Sequence, residues 1–312
     1  MCDRIHILLT GSTGFIGSAI RDSLNDLGVL PRRLVRAERA SGSHGDPLEV
    51  RGDLHDAAAL DRALDGCDVV IHAASYTGSD EAEQARTNRD GTERLVAAAA
   101  KAGVRHIVSL STAGVYGADF PLGGDGAGVA PVPRSALSAS RLAADEAVLA
   151  AGGSVVRPNL VYGAGDRWFL GPLLTLMGGL GAWIGTGDAR ISVIERTQLG
   201  DAVARLALAA TDPESSSVGG IYHAGVPDAM TPRTLVGSLS DRLGRAAPSA
   251  MIDAASALGK LQRFGVTGAQ LSTVADDHWF DSSRLWDTIG RRPSSDPLWS
   301  EASLDWYRRF GG

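Results

Sequence analysis

The sequence predicts an α/β fold: a Rossmann-type doubly wound parallel sheet with a smaller C-terminal substrate-binding region. Three observations predict it. The apolar, strand-length run Ile5-His6-Ile7-Leu8-Leu9-Thr10 meets the glycine-rich turn Gly11-Ser12-Thr13-Gly14-Phe15-Ile16-Gly17, inside which a helix begins. Strand-like and helix-like segments then alternate, the pattern of βαβ units with right-handed crossovers. The chain has 312 residues, 44 % of them hydrophobic and 21 % charged, enough for a large core in one or two domains.

In the first turn the glycines are spaced G-x-x-G-x-x-G. Gly11 permits the tight turn, Gly14 lets backbone N–H groups approach a pyrophosphate at the helix N-terminus, and Gly17 lets helix and strand pack closely. A glycine triplet alone is weak; its place between a strand and a helix gives it weight. The helix is expected from Phe15 to Leu27, ended by Gly28. Arg32-Arg33-Leu34-Val35-Arg36 reads as the second strand. An acidic residue at its end binds the free 2′-OH of NAD, whereas an arginine accommodates the 2′-phosphate of NADP. Arg36, with Arg39 close behind, favours NADPH over NADH, although Arg36 is also an ordinary solvated residue in an arginine-rich chain.

Leu48 to Leu54 reads as a third strand, with Asp53 and Leu54 facing the adenine. Asp56 is placed to cap a helix through Leu64. Cys67 to Ala74 is a fourth strand, whose small Ala73 and Ala74 leave room for a cofactor or serve ordinary packing. A long helix is expected from Glu81 to Ala102, with apolar spacing at Leu95, Val96, Ala99 and Ala100 and closure at Gly103. His106 to Ser111 is a fifth strand, residues 118–134 are a Gly/Pro-rich loop, Ser135 to Ala151 is a helix and Ser154 to Arg157 a sixth strand. Residues 163–187, rich in Gly, Trp, Phe and Leu, read as a mobile apolar lid over the site or as plain core. Residues 191–210 return to strand-then-helix. Residues 1–162 are thus assigned to nucleotide binding, with the sheet completed by 191–225, and 163–190 and 226–312 to substrate.

The net charge of −6 argues against a nucleic-acid or anionic-membrane partner. Two cysteines, Cys2 and Cys67, give no disulfide framework. No apolar run of about 18 residues is present, and charged residues follow Met1 at once, so neither a membrane span nor a signal peptide is expected. A cytoplasmic protein without a metal site is the expectation. Lysine stands only at positions 101 and 260, a skew towards arginine that fits a GC-rich genome.

Together these segments resemble an extended short-chain dehydrogenase/reductase of the NAD-dependent epimerase/dehydratase group. Thr10 to Gly17 is similar to the family fingerprint, Gly52-Asp53-Leu54 to its adenine-side motif, and Val70-Ile71-His72-Ala73-Ala74 to its fourth strand. Thr87-Asn88-Arg89-Asp90-Gly91-Thr92 resembles the Asn-x-x-Gly-Thr segment, which implies that Asn88 lies near the active site. Val115-Tyr116-Gly117 and Arg157-Pro158-Asn159-Leu160-Val161-Tyr162-Gly163 resemble two further signatures, and Phe280-Asp281-Ser282-Ser283-Arg284 the C-terminal pattern. The resemblance implies a cofactor contact at Pro158 and substrate-side places for Tyr116 and Tyr162.

The family's chemistry rests on a Ser/Thr and a Tyr-x-x-x-Lys pair. Thr112 matches the first. Aligning Ser140-Arg141-Leu142 on the lysine stretch puts Arg141 at the lysine and Leu137 at the tyrosine, and no tyrosine lies between Tyr116 and Tyr162. Arg141 remains able to bond a nicotinamide ribose, but it stays charged and relays a proton poorly. Leu137 has no proton to give, and general acid catalysis is worth about 10²–10⁴-fold. Remaining candidates for the proton are Thr112, Ser75 and Tyr76, then Tyr116, Tyr162 and His223, which read equally as structural residues, or the substrate itself if a phenol beside its ketone stabilises the alkoxide; Asn88 is expected beside them in the catalytic site.

The resemblance implies an NADPH-dependent ketoreductase. Trp168, Phe169 and Trp183 suit a flat aromatic, polyketide-like (angucyclinone-type) ketone of antibiotic biosynthesis better than a charged sugar nucleotide. The alternatives are a non-catalytic NADP-binding sensor and, third, a sugar-nucleotide epimerase or dehydratase, which the missing tyrosine disfavours. By resemblance the helices Glu81–Ala102 and Ser135–Ala151 could form a dimer interface; packing on their own sheet explains them equally, so monomer and homodimer both stay open.

Overall fold

Short runs of Val, Ile and Leu buried on both faces belong in the middle of a parallel sheet covered by helices on each side. A computed structural model, which describes residues 5–36, 46–117, 120, 122–126, 128–212, 218–262 and 266–310, has this architecture. The strands are β1 (Ile7–Thr10), β2 (Arg32–Val35), β3 (Glu49–Arg51), β4 (Val69–His72), β5 (His106–Leu110), β6 (Ser154–Pro158), β7 (Leu160–Tyr162), β8 (Ala182–Ile184), β9 (Val193–Glu195), β10 (Gly220–Ala224) and β11 (Ala250–Ile252). Seven of them form the main sheet in the order β3-β2-β1-β4-β5-β6-β10, every pair parallel. The order reverses between β1 and β4, and a crevice opens there beyond the strand ends.

Alternation along β1 and β4 divides the core. Ile7, Leu9, Val69 and Ile71 point to the face covered by the helices Phe15–Asp26 and Arg196–Ala209. Leu8 and Val70 point to the opposite face, against Leu60, Leu64, Leu95 and Val148 of the helices Ala57–Leu64, Gly91–Lys101 and Ala136–Ala150. Asp56 does cap its helix, accepting from Ala59 N–H at 2.9 Å.

Several expectations need correction. The third strand ends at Arg51, because the Asp53 carboxylate accepts from the N–H groups of His55 and Asp56 and folds the chain into a turn. The long helix is continuous but passes through a π-turn at Ala85–Asp90, between α-helical pieces Glu81–Gln84 and Gly91–Lys101. The strand near 191 pairs with β7 outside the main sheet, and β10 takes the seventh place beside β6.

Residues 163–187 do not read as a lid. They form the helix Leu170–Leu180 and β8, which pairs with β11, and Phe169, Leu170, Leu173, Met177, Trp183 and Ile184 lie in one core cluster with Leu235, Trp299 and Tyr307. Asp166, fully buried, holds the helix start by accepting from the N–H groups of Trp168, Phe169 and Leu170 at 2.7–2.9 Å and from the Tyr307 hydroxyl at 2.9 Å. Among the described residues no helix is long and apolar enough to cross a membrane.

Candidate active site

The turn after β1 is shaped by what its glycines leave out. Gly11 has φ +70°, and a Cβ there would lie 2.5 Å from the backbone of Ala73 and Ala74 at the end of β4. A Cβ on Gly17 would lie 2.0 Å from the Gly11 carbonyl oxygen, so the helix touches the turn itself. Gly14 caps the helix Phe15–Asp26 without any side-chain hydrogen bond, which leaves the first N–H groups and the positive end of the dipole for an anion.

A cleft of about 240 Å³ opens in front of this turn. Of the residues expected to bind cofactor, Gly11, Thr13, Gly14, Arg36, Asp53, Leu54, Ala73 and Ala74 line it, together with Ser75 and Tyr76. Arg36 is exposed at the end of β2; Arg39 lies outside the described residues. Ser12 is buried under the turn, and Ile16 packs into the core. Sequence reasoning missed eight lining residues as site residues: Thr10, Leu34, Val35, Gly52, His55, Glu83, Arg86 and Thr87. The last three share one helical face by their spacing, and Glu83 accepts from Arg86 Nη1 at 3.1 Å and Thr87 Oγ1 at 2.7 Å. The Thr87 bond holds the Glu83 carboxyl below its ordinary range. His55 Nε2 is buried without a hydrogen-bond partner among the described residues. An uncapped helix end, a cradle that a Cβ would fill and an unpartnered imidazole nitrogen together fit a dinucleotide.

Beneath Ser75 and Tyr76 the polar groups are tightly committed. Asn88, buried in the π-turn, accepts from Ser75 Oγ–H at 3.1 Å and Tyr76 N–H at 2.8 Å, and donates to the Tyr76 carbonyl at 3.0 Å and Ser140 Oγ at 3.1 Å. With every bond used, Asn88 positions this loop. Arg141 donates to Ser75 Oγ and the Leu110 carbonyl, both at 2.8 Å. Burial lowers its pKa and Asp145 opposes this. The guanidinium expected at a ribose is therefore tied to the loop. Deeper still, His72 bridges Thr10 Oγ1 at 2.7 Å and Thr92 Oγ1 at 2.9 Å, and burial, aided by Arg141, brings it down to about 4. It is neutral.

Thr112 sits where β5 leaves the sheet. Its Oγ1 accepts from Gly114 N–H at 3.1 Å, and its own hydrogen has no acceptor among the described residues. Leu137 precedes Arg141 by one helical turn on the same face. Tyr76 lines the cleft with its hydroxyl folded over Gly78 of its own loop.

The residues expected to meet substrate lie elsewhere. Tyr116 is buried, accepting from Arg157 Nη1 at 2.8 Å and lying 2.9 Å from His223 Nε2; Arg157 is paired with Asp145 at 2.9 Å. Burial brings His223 down to about 4, helped by Arg157 and opposed by Asp125. Burial likewise pushes the Asp145 carboxyl up, and Arg157 opposes it. These four form a buried support under the site. Tyr162, Phe169 and Trp183 belong to the C-terminal core, and Tyr162 accepts from Leu298 N–H at 3.0 Å. Trp168 is 73 % exposed. Pro158 ends β6 opposite Ala224 and does not line the cleft.

A family model for the NAD dependent epimerase/dehydratase family matches residues 7–175. The chain is 32 % identical over 181 residues to a 4-hydroxy-2-methyl-3-oxo-4-farnesyl-3,4-dihydroquinoline-1-oxide ketoreductase of Stigmatella aurantiaca, covering 54 % of each chain. It thus spans about half the length of that relative. It is 32 % identical over 242 residues to a (4-alkanoyl-5-oxo-2,5-dihydrofuran-3-yl)methyl phosphate reductase of Streptomyces griseus, covering 77 % of this chain and 74 % of the other. A short-chain dehydrogenase/reductase superfamily structure from Agrobacterium tumefaciens with bound NAD superposes with a TM-score of 0.69 at 21 % identity over 97 % of each chain, a likeness of fold.

Proposed function

We propose that this chain, which belongs to the NAD-dependent epimerase/dehydratase family, is an NADPH-dependent ketoreductase acting on an aromatic, polyketide-like ketone. The observation that carries the reading is a whole dinucleotide cleft beside a site whose tyrosine position is Leu137. Epimerases and dehydratases must strip a proton from a hydroxyl, which needs a base; neither Leu137 nor the tied, cationic Arg141 is one. Reduction runs the other way. It makes an alkoxide, which weakly acidic hydroxyls can protonate. The names of the Stigmatella and Streptomyces relatives, both reductases, support this direction, and the dihydroquinoline of the former supports an aromatic substrate.

The turn Gly11–Gly17 would hold the pyrophosphate of a nicotinamide cofactor, which when bound would supply the hydride for the carbonyl carbon. The chain's own residues do the rest. Arg36 takes the 2′-phosphate, Asn88 and Arg141 fix Ser75 and the wall of the cleft, and Thr112 donates to the carbonyl oxygen. We assign the substrate side to residues 163–190 and 226–312.

The test is oxidation of NADPH, with NADH in parallel, against a panel of aromatic ketones. Turnover with NADPH is the expected result. Tight NADPH binding with no turnover of any ketone overturns the reading in favour of an NADP-binding sensor.

A further inference from the structure

One residue beyond Leu137, where the tyrosine would stand, is a second hydroxyl-bearing side chain. Ser138 follows Leu137 in the first turn of the helix Ala136–Ala150 and is half-buried. Its Oγ accepts from Ser135 Oγ–H at 3.1 Å, while Ser135 caps the helix by accepting from Ser138 N–H at 3.1 Å. The hydrogen of Ser138 itself has no acceptor among the described residues, and Ser135 is exposed to solvent. Opposite stands Gly114. The point that a Cβ on Gly114 would occupy is 3.3 Å from Thr112 Oγ1 and 3.6 Å from Ser138 Oγ. The two hydroxyls, each with a spare hydrogen, thus flank the same bare stretch of backbone, where the glycine puts no side chain between them.

We propose that Ser138 Oγ is the proton donor in place of the tyrosine, with Thr112 Oγ1 bound to the same carbonyl oxygen and Ser135 connecting Ser138 to solvent. The proposal rests on the ketoreductase reading. As the hydride forms the new C–H bond, the π pair of the carbonyl moves onto oxygen. That oxygen takes the proton of Ser138 Oγ, Ser138 takes the proton of Ser135 Oγ, and Ser135 takes one from water, so both serines end as they began. The donor and the product are both alcohols, so the transfer is close to balanced. The N–H groups of Ala136 and Leu137 have no intrahelical acceptor, and this positive helix end favours the negative charge that Ser138 carries in passing. The other hydroxyls fit the role less well. Ser75 already accepts from Arg141 and donates to Asn88, and the Tyr76 hydroxyl lies over its own loop.

The experiment uses the full chain, NADPH and two ketones, α-tetralone and its peri-hydroxy derivative. Ser138→Ala is expected to lower kcat about 100-fold on α-tetralone, in the range of a lost general acid. NADPH affinity, read by quenching of tryptophan fluorescence without ketone, stays unchanged, and Ser138→Thr restores kcat. Ser135→Asp keeps the cap but has no hydroxyl hydrogen to pass on, and is expected to lower kcat about tenfold at unchanged Tm. Without turnover, bound para-nitrophenolate, its oxygen standing in for the alkoxide, should lose its hydrogen-bonded spectral shift in Ser138→Ala. Wild-type kcat in Ser138→Ala, a loss that Ser138→Thr does not restore, or an unchanged nitrophenolate spectrum overturns the relay alone. No turnover of either ketone by the wild-type chain overturns the ketoreductase reading and the relay with it.

Discussion

The two ends of the cleft are built by different means. At the end where β1 meets its helix, shape comes from backbone: Gly11 and Gly17 permit contacts that any Cβ would block, and the helix N-terminus supplies the charge. At the end beneath Ser75 and Tyr76, shape comes from side chains held by other side chains, as Asn88 holds Ser75 and Arg141 holds it from behind. Backbone contacts leave no freedom to substitute. A side-chain network can be re-wired piece by piece, with Arg141 at the lysine position kept by new partners and Leu137 tolerated because a neighbouring hydroxyl is free.

Gly17→Val is the strongest test of the first half of that contrast. Its Cβ would stand 2.0 Å from a carbonyl oxygen that cannot swing away. A loss of more than about 4 kcal/mol and no NADPH binding are expected, by thermal unfolding and fluorescence quenching. Leu137→Ala at the other end should bind NADPH normally. Equal damage in both variants would erase the contrast.

Next in size is the buried support of the side-chain end. Arg157→Met leaves Asp145 buried without its partner at 2.9 Å, and about 3–5 kcal/mol should be lost in urea unfolding. Adding Asp145→Leu should recover most of it, because the pair as a whole is replaceable where a lone charge is not. A double variant no better than the single would show that the network, and not the stranded charge, carries the stability.

The histidines give a pH signature. His72 and His223 are both brought down to about 4 by burial, against 6.5 for a free imidazole. Between those values the unfolded chain binds more protons, so stability is full above pH 6.5 and falls as pH drops towards 4. Each histidine should contribute a slope of about 1.4 kcal/mol per pH unit across that window. His72→Gln should flatten the curve by one such share; an unchanged slope would show His72 to be charged in the fold.

Much of this was legible in the sequence, for physical reasons that also mark where legibility stops. The strands are short apolar runs bounded by Gly and Asp, and the glycine turn is local, so the turn Gly11 to Gly17 and the places of Asp53, Ala73 and Ala74 along the cleft could be read from neighbours alone. The π-turn could not, because it depends on Asn88 reaching Tyr76 and Ser140, the latter 52 residues away. Tyr116 and His223 read as substrate residues because their partner lies 107 positions off. An apolar stretch reads alike as lid or core, and only Asp166 with Tyr307, 141 residues apart, shows 163–187 to be core. Ser138 looks like any first-turn serine until Gly114 is seen opposite it.

Arg36 sharpens the comparison because it is a side chain at the backbone-built end. Arg36→Ser removes the cation expected at the 2′-phosphate, and the preference for NADPH over NADH should fall about 100-fold, equivalent to about 2.7 kcal/mol. Binding of NADH should hardly change, since the turn is intact. A loss of both cofactors alike would make Arg36 a structural residue.

The smallest effect belongs to Arg86, on the facing wall of the cleft. It is half-exposed and, among the described residues, bound only to Glu83, an i,i+3 pair worth about 0.2–1 kcal/mol to stability. Arg86→Ala should therefore leave Tm unchanged. Its charge still lines the cleft proposed to hold the cofactor, so NADPH affinity should weaken about two- to fivefold at low salt. At such an exposed site the effect is screened over about 8–10 Å at physiological ionic strength, and it should vanish in concentrated salt. The Arg36 effect, made by direct contact, should survive there. If both effects vanished together, Arg36 too would act through its field alone, and the backbone-built end would owe its cofactor preference to summed charge.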